Sequence, residues 1–234
     1  MSINRRGFIR LAVFGMAGLL LTGCGAASDT KNTAEAVSGK SAAVSSGAGT
    51  QEAAKQTGKK ILVAYFSRTG DNYEVGIIEK GNTHIMADMI AEELGNADTF
   101  EIKTVKEYAK NYRECTEEAK AEKAEDARPE LKEKVANFSD YDTVFLGYPI
   151  WWSDLPMPVY TFLESYDWSG KTVIPFCTSA GDAMTGLEER VIPTYAKGAQ
   201  VKLPGLGLRG KNMQDAPESQ RPKVQSWLKE LGYQ

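Results

Sequence analysis

Three short segments of this chain carry residues able to do chemistry, and each follows a run of apolar, β-prone residues. The first is Ser67-Arg68-Thr69-Gly70, resumed after a gap as Gly81-Asn82-Thr83 at the head of an amphipathic stretch. Hydroxyls, small residues and free N–H groups at a helix start stabilise an anion, because the positive end of the helix dipole points at it. Neither a P-loop nor a Gly-x-Gly-x-x-Gly fingerprint follows the first strand. The second segment, Gly147-Tyr148-Pro149-Ile150-Trp151-Trp152-Ser153-Asp154-Leu155-Pro156, sets two adjacent tryptophans between prolines. A planar aromatic ligand accounts for such a pair, with Pro fixing the turn and the indoles meeting a ring. Local packing under the loop also accounts for one of the two. The third, Pro175-Phe176-Cys177-Thr178-Ser179-Ala180-Gly181-Asp182, is small and polar enough to approach a ring edge.

The elements that must position these segments alternate. Strands are predicted at 61–67, 98–102, 143–148, 172–176 and 199–203. Helical spacing of Ile85, Met86, Met89, Ile90 and Leu94 predicts a helix over 82–94, stopped by Gly95. Further helices are predicted over 107–137 with a break near Arg128-Pro129, and over 158–165, 186–196 and 217–231. Five strands alternating with helices indicate a parallel α/β sheet. Ligands of such sheets sit beyond the carboxyl ends of the strands, where the strand order reverses.

Taken together, Ser-x-Thr-Gly then Asn-Thr, Gly-Tyr-Pro-Ile-Trp-Trp and Cys-Thr-Ser-x-Gly resemble the flavodoxin family, from Lys59 to the C-terminus. The resemblance implies a flavodoxin-like three-layer α/β sandwich around a five-stranded parallel sheet of order 2-1-3-4-5. It also implies FMN as cofactor. Ser67, Arg68, Thr69, Asn82 and Thr83 would hold the phosphate. Pro149, Ile150, Trp151 and Trp152 would flank the ring on one side, and Thr178, Ser179, Gly181 and Asp182 on the other. An electron-transfer protein serving a redox partner protein or a small donor or acceptor follows. A reductase of quinones or similar small acceptors with a nicotinamide donor stays open, as does a flavin-free binding module.

Two departures from the family pattern stand out. Eleven residues, Asp71 to Gly81, separate Gly70 from Asn82. Asp71-Asn72-Tyr73 could claim the phosphate instead, but Gly76 and Gly81 would then lie inside a helix at roughly 1 kcal/mol each. The reading adopted is a loop over the site, in which Tyr73 and Ile77 either cap a ring or are simply solvated. The third segment contains no Tyr or Trp, which leaves one ring face open or screened by Tyr73 or Met184. His84 and Cys177 read as structural, Cys115 as inert and Asp154 as a helix cap. The charge-rich 103–134 segment reads as a solvated helix face, with Tyr108, Tyr112 and Arg128-Pro129 as its candidates to border the site.

Upstream lies an address. Arg5-Arg6-Gly7-Phe8-Ile9 before an 11-residue apolar run is a signal core, too short for the ~20 residues that span a bilayer. The paired arginines resemble a twin-arginine export signal, and Leu21-Thr22-Gly23-Cys24 a lipoprotein cleavage box. Cys24 would then be lipidated, anchoring the protein to the outer face of the cell membrane. Residues 25–58, with no Leu, Ile, Met or aromatic residue, cannot form a core and read as a tether. Beyond residue 57 the chain carries 22 basic against 28 acidic residues, which favours no nucleic-acid partner.

Overall fold

Six consecutive apolar residues, Ile61 to Phe66, form a strand that is buried throughout, because a strand covered on both faces needs no polar alternation. The computed structural model describes residues 60–234. The export signal, Cys24, the tether and Lys59 lie outside the described residues. The elements run β1 (Ile61–Phe66), β2 (Gly70–Asn72), β3 (Gly76–Ile78), α1 (Asn82–Leu94), β4 (Ala97–Ile102) and α2 (Tyr112–Ala124). After them come β5 (Thr143–Pro149), α3 (Met157–Glu164), β6 (Thr172–Ser179), α4 (Leu187–Arg190), α5 (Ile192–Tyr195), β7 (Gln200–Val201), β8 (Leu206–Arg209), α6 (Gly210–Asp215) and α7 (Arg221–Glu230).

The main sheet is parallel throughout, in the order β4-β1-β5-β6-β7, with β8 also paired to β6. This is the expected 2-1-3-4-5 order, and the direction of winding reverses between β1 and β5. Alternate residues of the strands feed two cores. Val63, Tyr65, Phe145 and Phe176 pack with Met86 and Ile90 of α1 and Trp227 of α7. Leu62, Phe66, Leu146 and Val173 pack with Val159, Phe162 and Leu163 of α3. A flavodoxin-like three-layer sandwich results.

Four elements differ from the sequence-based expectation. The fifth strand is split: β7 ends at Val201, Pro204 has no N–H to pair, and the chain returns as β8 beside the end of β6. The helix expected over 107–137 exists only as α2, which begins where the Asn111 side chain accepts the Glu114 N–H at 3.1 Å. Asp126, at φ +48°, turns the chain out of it. Residues 130–132 then run back beside 103–105, joined by Val105 N–H to Glu130 O at 2.9 Å and Lys132 N–H to Lys103 O at 2.8 Å. The helix expected over 186–196 is two short turns, α4 and α5, with Pro193 in the first turn of the second. The 71–80 excursion is a β-hairpin, Gly70–Asn72 against Gly76–Ile78.

The sheet is tightest at Gly147, where a Cβ would stand 2.2 Å from the Phe176 ring and 2.9 Å from Tyr65 Cβ. Gly147→Ala therefore overpacks the core and should lower stability by about 1–3 kcal/mol in urea unfolding. An unchanged midpoint would contradict this packing.

Candidate functional site

Beyond the ends of β1, β5 and β6, at the point where the winding reverses, lies a cleft of about 510 Å³. One end is built at the start of α1. The excursion leaves the β1 loop at Gly70 and returns to it at Gly81, where a Cβ would stand 2.2 Å from Ser67 Oγ and 2.6 Å from Arg68 O. Only glycine permits so close a return. Ser67 Oγ accepts the His84 N–H at 3.1 Å, so the β1 loop caps the helix directly. The N–H groups of Asn82 and Thr83 have no partner among the described residues and remain free for an anion. Asn82 is fixed by Gln214, whose Nε2 donates to its Oδ1 at 2.8 Å, and by Gly210, where a Cβ would meet Asn82 Nδ2 at 2.3 Å.

The other end is aromatic. Trp151 packs edge-on against Phe66 and Tyr108, with centroids at 5.3 and 5.1 Å. It thus serves the core and the cleft wall together. Trp152 is 48% exposed, and its Nε1 donates to Thr116 O at 3.1 Å. Trp152 and Ser153 both lie at positive φ, +51° and +58°. Trp151 and Asp154 exchange backbone hydrogen bonds at 3.0 and 2.9 Å around them. This is the I′ geometry that Asn and Gly favour, so a tryptophan is held there at a cost. Facing this loop, α2 presents Tyr112, Cys115, Thr116 and Ala119 at i, i+3, i+4 and i+7, a single helix face lining the cleft. Burial pushes the Cys115 thiol up to about 11, so the wall it forms is neutral. Asn72, Tyr73 and Glu74 at the hairpin tip complete the enclosure.

Of the residues expected from sequence, Arg68, Asn82, Pro149, Ile150, Trp151, Trp152, Thr178 and Ser179 line the cleft together. Ser67, Thr69, Thr83, Gly181 and Asp182 do not. Ser67 caps α1, and Thr69 Oγ1 accepts Lys110 Nζ at 2.9 Å. The Thr83 hydroxyl pairs with that of Thr178 at 2.8 Å, bracing α1 against β6. Gly181 N–H donates to Ser179 Oγ at 3.0 Å, and Asp182 Oδ1 accepts the Arg209 N–H at 2.7 Å. The Arg68 guanidinium is also committed: Nη2 donates to Ala109 O at 2.7 Å and to Lys110 O at 2.8 Å, and Nη1 to Asp71 O. It ties the foot of the hairpin to the approach to α2. Asp154 is no helix cap; it accepts the Tyr160 hydroxyl at 2.7 Å and pairs with Lys123 at 3.1 Å. Met184 lies away from the cleft, at 3.5 Å from Cys177 Sγ, and Ile77 is 81% exposed. The cleft residues missed are Cys115, Thr116, Ala119, Gly210 and Lys211. Cys115, Thr116 and Ala119 had one sequence signal, the i, i+3, i+4, i+7 spacing they share with Tyr112 in α2; Gly210 and Lys211, at the start of α6, had none.

A family model described as flavodoxin matches residues 60–230. The chain belongs to the flavodoxin family. No curated protein matches it. Among solved structures, a protein from Bacteroides uniformis ATCC 8492, provisionally assigned as a flavoprotein, is 31% identical, with a TM-score of 0.57 over 74% of this chain and 99% of that one. A similarly assigned protein from Bacteroides eggerthii DSM 20697 is 30% identical, with a TM-score of 0.54 over 74% and 98%. A flavoprotein from Lactobacillus acidophilus NCFM in complex with FMN is 23% identical, covers 67% and 97%, and has a TM-score of 0.50; it shows the shared fold.

The strained Trp152-Ser153 turn makes a direct prediction. Ser153 is exposed, so Ser153→Gly relieves its positive φ without touching the cleft. Stability should rise by about 0.5–1 kcal/mol, a few degrees in Tm. A lower Tm would show the turn to be unstrained.

Proposed function

We propose that this chain is an FMN-binding redox flavoprotein, exported and anchored to the membrane surface through a lipid on Cys24. One observation carries the cofactor reading. The cleft at the reversal of strand order joins an anion site of unpartnered helix-start N–H groups to an aromatic wall. That combination matches a phosphate linked to a flat ring. The glycine approaches at Gly81 and Gly210 fit it too, since a side chain at either would push the β1 loop or Asn82 out of place. Family membership and the FMN held by the Lactobacillus flavoprotein support the same reading.

On this reading the Asn82 side chain and the N–H groups of the α1 start hold the phosphate, with the Ser67–Thr69 backbone beside it. Thr83 braces the helix start against β6, and Arg68 ties the loop to the hairpin and the approach to α2. Pro149 to Trp152 and Thr178 to Ala180 flank the ring, and the α2 face closes the opposite wall against water. Bound FMN supplies the capacity to take up and release electrons, while the protein sets its orientation and surroundings. Its electrons come from and go to a redox partner protein or a small donor or acceptor.

Full-length protein mixed with FMN should retain the visible flavin spectrum through gel filtration. A colourless protein after this treatment would refute the cofactor reading. Export and anchoring rest on Arg5, Arg6 and the Leu21–Cys24 box. Cys24→Ser should abolish incorporation of labelled fatty acid and release the protein from the membrane fraction. Persistent label in that variant would place the anchor elsewhere.

A further inference from the structure

A second cleft, of about 560 Å³, lies between α4 and the chain that joins β7 to β8, and it shares no lining residue with the strand-end cleft. Its walls are apolar where Met184, Leu203, Pro204 and Leu206 meet. They are also fixed. A Cβ at Gly205 would stand 2.7 Å from Met184 Cε, and one at Gly207 2.5 Å from Ala183 C, so the two segments lie flat on each other. Pro204 O accepts the Trp227 indole N–H at 2.7 Å. The charged residues of this cleft are all acidic: Asp182, Glu188 and Glu189. Glu188 is only 7% exposed, and its Oε2 is buried with no hydrogen-bond partner. Its charge is felt by the Cys177 thiol, which burial first and Glu188 second push up to about 12, and by the Tyr148 hydroxyl. Neither group donates to it: the thiol turns to Ala183 O and Met184 Sδ, and the Tyr148 hydroxyl is itself unpartnered.

We propose that this cleft binds a small alkylammonium compound, a primary amine on an apolar stem, whose charged head pairs with Glu188. A buried carboxylate without a partner is costly, so its presence on a cleft wall calls for a donor from outside. The chain supplies none. Among the described residues no Lys, Arg or His lines the cleft. Arg190 gives its Nε to Gly186 O at 3.0 Å, Lys202 its Nζ to Leu231 O at 2.6 Å, and Arg209 pairs with Glu74. A metal ion fits less well, because the described residues bring no three His, Cys, Asp or Glu side chains together to hold one. An ammonium group has three N–H donors for the carboxylate, and its stem gains by covering Leu203, Pro204 and Leu206. Asp182 and Glu189, both exposed, add a negative field at the mouth that draws a cation in. The site is separate from the FMN cleft and does not rest on the cofactor reading.

The test is calorimetric titration of n-butylammonium chloride into full-length protein at 0.15 M salt, matched to the same titration with n-butanol. Saturable one-to-one binding of the amine is expected, with Kd about 0.1–1 mM, and none of the alcohol. Glu188→Gln, which keeps the shape of the side chain, should weaken binding about tenfold or more. Leu203→Ser, at a residue 42% exposed, should weaken it about threefold by removing part of the apolar wall. Absence of saturable binding overturns the proposal, as does equal binding of the alcohol, which would make the cleft merely apolar. Unchanged affinity in Glu188→Gln overturns it too; if that variant does not fold, unchanged affinity in Leu203→Ser does so. Displacement of the amine by millimolar Mg²⁺ would assign the cleft to a metal instead. Tighter binding of Nα-acetyl-lysine amide than of n-butylamine would assign it to a lysine of a partner protein and overturn the small-amine assignment.

Discussion

The return of the chain to the β1 loop at Gly81 is the contact on which the rest of the site depends. Helix α1 must begin against Ser67 and Arg68 for its free N–H groups to face the cleft. The hairpin inserted between loop and helix threatens that placement. A glycine whose missing Cβ leaves room for Ser67 Oγ and Arg68 O restores it. Ser67 then caps the helix it touches, and Thr83 links the same helix to the end of β6 through Thr178. Two strand ends and one helix start are thereby fixed in a single unit, and the inserted hairpin stands above it.

That insertion and α2 turn an open strand-end site into an enclosed cleft. Arg68 illustrates how. Read as a phosphate ligand, it instead directs its guanidinium to the carbonyls of Asp71, Ala109 and Lys110, joining the hairpin to the approach to α2. Glu74 joins the other end of the hairpin to Arg209. Partly exposed pairs of this kind contribute little to global stability, on the order of 1 kcal/mol or less. Their consequence is local, because they decide where Tyr73 stands relative to Tyr112.

The sheet order, β1, α1 and the three strand-end segments were legible in the sequence because each depends on local pattern: apolar runs, helical spacing, a glycine stop. The hairpin was not, since Gly70–Asn72 and Gly76–Ile78 are too short to show alternation. The wall formed by α2 was hidden by its own charge. Glu and Lys on its solvated side mask the small face of Cys115, Thr116 and Ala119, which acquires meaning only once the Trp152 loop lies opposite. The split of the fifth strand was written in Pro204 but needed the partner strand β6 to give it a place. The committed hydroxyls of Thr69 and Thr83 could not be read at all, because their partners, Lys110 and Thr178, are distant in sequence.

The central claim is that the split loop still forms one phosphate site. It is tested most directly by comparing the affinities of the full-length protein for FMN and for riboflavin, which differ only in the phosphate. Two or more charge-assisted hydrogen bonds from the α1 start should make FMN bind at least about 100-fold more tightly, about 2.7 kcal/mol. Equal affinities would mean that the helix start holds no phosphate, and would contradict the account.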